Sequence, residues 1–145
     1  MLRSKFKGLH VVSRFFTNLF SMCSAIAVTI FPFVFYLNKN VKANSITRNH
    51  ESIHIRQQME CTVVGLLVST IQVSLFRVTM WVILPGALLF YLIYLTDFVV
   101  KYFVYKDWNT AYREISFERE AYLNANIESY IGFRKPFSWI KYLRL

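Results

Sequence analysis

His50-Glu51-Ser52-Ile53-His54 places two imidazoles and a carboxylate in the pattern H-E-x-x-H. Residues four apart on a helix lie within about 40° of one another, so both rings can reach one ion. Glu51, next to the first histidine, is offset from that line and suits a general base acting on a water activated there. A tetrahedral catalytic zinc needs a third protein ligand and an open position. His10 lies in the basic N-terminal stretch, which leaves carboxylates. Glu60 is too close on the same helix to curl back, and Asp97 stands at the edge of an apolar run. Glu114, Glu118, Glu120 and Glu128 remain. Glu118 and Glu120 would be about 200° apart on a helix, so only one of them can face the site.

Ser116-Phe117-Glu118-Arg119-Glu120-Ala121-Tyr122 resembles the second motif of membrane-associated gluzincin peptidases, E-x-x-A-D, whose Glu is the third zinc ligand. The chain is more closely similar to a family of short bacterial zincin-like proteins carrying H-E-x-x-H-x-x-Q, a hydrophobic stretch, and then F-E-R-E-A-Y. His50, Glu51, His54 and Gln57 supply the first motif, and Phe117 to Tyr122 the second. Thr29-Ile30-Phe31-Pro32-Phe33 resembles that family's strand beside the active helix, and the resemblance covers roughly residues 25–125. It implies a zinc ion held by His50, His54 and Glu118, with Glu120 as the fallback ligand and Glu51 as the base. Tyr122 stands where the gluzincin motif has Asp, removing a usual partner of the metal ligands. Four residues after Glu118, its hydroxyl could instead donate to an oxyanion, although packing at a membrane edge is the simpler role. Gln57 could orient a ligand or substrate, but its default reading is a solvated helix residue.

The elements that must position these groups are greasy. Of 145 residues, 55% are hydrophobic and only 17% charged, against about 25% charged in an average soluble domain. Disorder is excluded, and a membrane protein of one domain is expected. The formal charge of +9 fits basic flanks facing anionic lipid. Basic residues are scattered between apolar runs, which excludes a phosphate-tracking face and hence nucleic acid as a partner. Cys23 and Cys61 are too far apart in sequence for a disulfide scaffold or a CxxC zinc knuckle, and Cys61 reads as a buried apolar residue.

A basic N-terminus over 1–14 leads into Phe15–Leu37, 23 uncharged residues that would span about 34 Å as a helix. The β-branched stretch before Pro32 offers Val28–Tyr36 as a strand instead. Thr17-Asn18 make a cleavable signal a poor fit. Asn44 or Ser45 is the expected N-cap of a motif helix over 44–60. Membrane segments follow over 61–104, either as a hairpin turning near Arg77 or Pro85-Gly86 or with one segment lying at the interface. A water-side ligand helix is expected over 106–130, and an interfacial tail over 136–145 begins with Pro136 in a first turn. Arg77 and Asp97 should mark membrane edges or pair, and Trp139 and Tyr142 should anchor at the headgroups.

The expected fold is thus mainly α and membrane-associated: a zincin-like helix, a ligand helix, apolar helices between them and a short strand or hairpin before. The expected function is zinc-dependent hydrolysis of a protein or peptide substrate at a bacterial inner membrane. Basic residues crowding the C-terminal side favour its cytoplasmic face. The alternative is a non-catalytic membrane structural or interaction protein with a metal-binding or degenerate zincin site.

Overall fold

The computed structural model describes residues 8–20, 25–76 and 86–143. Cys23, Arg77 and the expected turn at Pro85 lie outside the described residues, as does the start of the basic N-terminus.

Phe15–Leu37 is not one helix. Strand β1 (Leu9–Val12) leads to helix α1 (Arg14–Phe20), and strands β2 (Ala27–Ile30) and β3 (Phe33–Tyr36) flank a turn at Phe31-Pro32. β-branched Val28, Thr29 and Ile30 disfavour helix, and Pro32 lacks the N–H that either a helix or a longer strand would need. The sheet order is β1-β3-β2, with β1 parallel and β2 antiparallel to β3. Period-2 alternation buries Val34 and Tyr36 on one face, while Phe33 and Phe35 point to the other.

Helix α2 (Lys39–Ala43) precedes α3 (Ser45–Phe76). Asn44 caps α3 as expected, its side-chain oxygen accepting from the N–H groups of Ile46 at 2.9 Å and Thr47 at 3.2 Å. α3 does not stop at residue 60. Nothing between Glu60 and Phe76 breaks the hydrogen-bond ladder, so the motif helix and the first apolar segment are one rod of 32 residues, about 48 Å long. By length and composition its Ser45–Leu75 span could cross a membrane, and only 22% of its most apolar window is buried. Helix α4 (Leu89–Tyr105) carries the second described apolar stretch.

The single helix expected over 106–130 is three: α5 (Trp108–Glu114), α6 (Ser116–Asn124) and α7 (Tyr130–Phe133). Asp107 caps α5 by accepting from the Thr110 N–H at 2.7 Å, and Ile115 leaves helical geometry at its end. In the tail, Phe137 adopts left-handed backbone (φ 57°) and a 3-10 helix follows at Ser138–Tyr142, so Pro136 does not open a first turn. Trp139 is not an interface anchor. It is buried, with its ring 4.5 Å from that of Phe117.

The chain packs as two compact units. The described residues of Met1–Arg56 and Glu120–Lys135 form one, built on the sheet and on a cluster of Ile53, Ala121 and Tyr130. Gly8 (φ 92°) belongs to it, and a Cβ there would sit 2.9 Å from Ile55. The described residues of Gln57–Arg119 and Pro136–Leu145 form the other, around Cys61, Phe90, Phe98, Ala111, Ile115, Phe117 and Trp139. Cys61 is buried there, as its apolar reading requires.

Candidate metal centre

One turn of α3 stacks His50 under His54, with their Nε2 atoms 3.0 Å apart. A ligand nitrogen of each and a carboxylate oxygen of Glu118, near the start of α6, all lie within 4.8 Å of one another. His54 and Glu118 are buried and His50 is half-buried. Two imidazoles and a carboxylate form a donor set that first-row divalent metals accept. Two nitrogens on one tetrahedral ion at about 2.0–2.1 Å stand roughly 3.3 Å apart, close to the spacing of this histidine pair. The His50, His54 and Glu118 group is thus one that could hold a metal ion.

Polar contacts fix both ends of α6. At its start, the Asp97 carboxylate accepts from the Ser116 N–H at 2.6 Å and the Ser116 hydroxyl at 2.7 Å, satisfying a donor that a helix leaves open. Asp97 also pairs with fully buried Lys101 at 3.2 Å, and Lys101 donates to the Glu114 carbonyl. Asp97 is therefore a buried anchor for the start of α6, and Arg77, its expected alternative partner, lies outside the described residues. Gln57 is no solvated residue either: fully buried, it donates to the Phe117 carbonyl at 3.0 Å, one residue before Glu118. At the other end, Asn49 donates to the carbonyls of Ala125 at 2.7 Å and Ile127 at 2.8 Å. The residue before the first histidine thus holds the chain that leaves α6.

Glu51 is buried, and its Oε2 accepts from the Thr29 hydroxyl at 2.6 Å. Thr29 stands on β2, the strand whose sequence resembled a zincin strand beside the active helix. On β3, burial and then the negative charge of Glu51 push the Tyr36 hydroxyl above the usual tyrosine range. Tyr36 also hydrogen-bonds with His10 Nδ1 at 2.7 Å. Tyr122 lies edge-on to His50, ring centroids 4.7 Å apart, and is 46% exposed.

The remaining carboxylates go elsewhere. Glu120, the fallback ligand, is buried in a two-pronged pair with Arg134 (2.7 and 3.1 Å) and accepts from the Tyr130 hydroxyl at 2.7 Å. Glu60 accepts from the Phe137 N–H, Glu114 pairs with Arg119, and Glu128 is exposed. Sequence reasoning missed Tyr94 of α4, whose hydroxyl donates to Glu118 Oε1 at 2.8 Å. It also missed Asn49 and Arg134. Only Asn49, adjacent to the motif, carried a local signal.

No family model, curated protein or solved structure matches the chain. The fold and centre define a mainly helical protein with a small mixed sheet, a His50/His54/Glu118 group able to hold a metal ion, and a helix long and apolar enough to span a membrane.

Proposed function

We propose that the chain is a zinc-dependent, membrane-associated peptidase of gluzincin type. The observation that carries this reading is that ligand atoms of His50, His54 and Glu118, drawn from two motifs more than sixty residues apart, lie within 4.8 Å of one another. When bound, zinc supplies Lewis acidity that makes water a nucleophile near neutral pH and polarises a carbonyl. Glu51 takes the proton released as water adds to the peptide carbonyl, and returns it to the leaving amine as the C–N bond breaks. Thr29 orients the Glu51 carboxylate. The exposed Tyr122 ring beside His50 is placed to donate to the oxygen that gains charge. Exposed apolar residues on α3 and α4, among them Leu67, Ile71, Leu75, Leu92, Leu95 and Phe103, supply the membrane contact.

A second reading, a non-catalytic membrane protein that keeps a metal site, is favoured by the depth of Glu51. It is 5% exposed and already hydrogen-bonded. One experiment separates the two. Detergent-purified protein is analysed for zinc and incubated with a quenched-fluorescent peptide library, alongside His50→Ala and Glu51→Gln. The peptidase reading expects near-stoichiometric zinc in wild type and in Glu51→Gln, none in His50→Ala, and cleavage by wild type alone. Equal cleavage by Glu51→Gln and wild type overturns it, and zinc without cleavage leaves the second reading.

A further inference from the structure

Glu118 is a carboxylate with two equivalent oxygens, and something must decide which of them meets an ion. We propose that Tyr94 is the positioning residue that sets the Glu118 carboxylate for metal binding, by tying up Oε1 and leaving Oε2 as the ligand atom. This inference rests on the zinc-site reading above and adds to it a residue from the apolar helix α4.

The hydroxyl of Tyr94 donates to Oε1 at 2.8 Å. Its ring is held independently of that bond. It stacks nearly parallel to Phe117, at 7° and 6.3 Å, and packs with Tyr112 against the apolar cluster of Phe90 and Phe117. Phe117 is the residue before Glu118, and its carbonyl is the one that Gln57 holds. Backbone and side chain of the ligand segment are therefore braced from α3 and α4 respectively. A ring locked in this way fixes the hydroxyl oxygen beside Glu118 Oε1, so the carboxylate loses little rotational freedom when an ion binds. Partners of this kind are typically worth 10- to 100-fold in metal affinity.

The test uses cobalt(II) as probe, titrated into the full-length chain in detergent and followed by its visible absorption. Tyr94→Phe keeps the ring and its stacking and removes only the hydroxyl. Tyr91→Phe, three residues earlier on α4 and 40% exposed, is the control. Tyr94→Phe should bind cobalt at least tenfold more weakly, with a less intense visible band as the second carboxylate oxygen swings towards the ion. Tyr91→Phe should match wild type in both readouts. Wild-type affinity and band shape in Tyr94→Phe overturn the proposal, while loss of cobalt in Glu118→Ala still upholds the metal site. Wild-type protein that takes up no cobalt overturns both.

Discussion

At the scale of single residues, the candidate site is a set of short polar contacts in buried surroundings, where each lost partner is costly. Thr29 is buried and donates to a buried carboxylate. Thr29→Val keeps the shape and removes the hydroxyl, leaving an acceptor without its donor. Thermal or chemical unfolding in detergent should show a loss of about 1–3 kcal/mol, with zinc content unchanged because Glu51, the partner it loses, is the proposed base and not a ligand. Tyr36 makes a pH prediction. Its folded-state pKa is raised by burial and by the Glu51 charge, so the stability it contributes is fully present below the unfolded tyrosine value near 10 and is lost as pH rises above it. Between pH 10 and 11, wild type should lose about 1 kcal/mol more stability than Tyr36→Phe, because the unfolded tyrosine goes from half to mostly deprotonated while the folded one keeps its proton. Equal slopes for the two proteins in urea unfolding would remove Tyr36 as the cause. The histidine pair was legible in the sequence because an i, i+4 relation is local and needs only a helix. Glu118 was legible through its motif, and the 200° separation from Glu120 correctly implied that they face different ways. Tyr94 was not legible, since a tyrosine within an apolar run looks the same whether it meets headgroups or a carboxylate.

At the scale of elements, the lengths came out differently from the arrangement. The apolar composition of 15–37 is shared by a membrane helix and a sheet buried on one face, and only the β-branched residues and Pro32 spoke for the sheet. α3 runs past residue 60 because hydropathy changes there but helix propensity does not. The break of 106–130 into three helices depends on tertiary contacts, chiefly Asp97 at the Ser116 N–H, which periodicity does not carry. One contact between elements is tight enough to predict from. A Cβ on Gly65 of α3 would stand 1.9 Å from the Gly86 carbonyl oxygen, and a Cβ on Gly86 would meet the Ser69 hydroxyl at 2.2 Å. Small residues four apart let backbones approach in this way. Gly65→Ala should therefore push the segments apart and destabilise by about 1–3 kcal/mol, read as a lower melting temperature in detergent. Val63→Ala, at a position 56% exposed, should melt close to wild type.

At the scale of the whole molecule, α3 is long and apolar enough to cross a bilayer, and the contacts around it limit how any crossing is arranged. Thr70 and Thr96 turn their hydroxyls back onto the carbonyls of Leu66 and Leu92, each at 2.8 Å, which satisfies them without water. Gln57 and Glu60, at the start of the apolar half of α3, bond to Phe117 and Phe137, which follow α4 and α5. The chain that leaves this point through α3 therefore returns to it. If α3 crosses the membrane, the crossings between residues 61 and 116 must be even in number, because an odd number would place Glu60 and Phe137 in opposite aqueous phases. Single cysteines at exposed Asn44 and Asn109, in a background with Cys23 and Cys61 replaced by serine, test this in sealed, oriented vesicles. A membrane-impermeant maleimide should label both or neither before lysis and both after it. With the vesicle pellet resisting carbonate extraction, that result fits an even number of crossings, and labelling of only one position would require an odd number and break the links of Gln57 to Phe117 and Glu60 to Phe137.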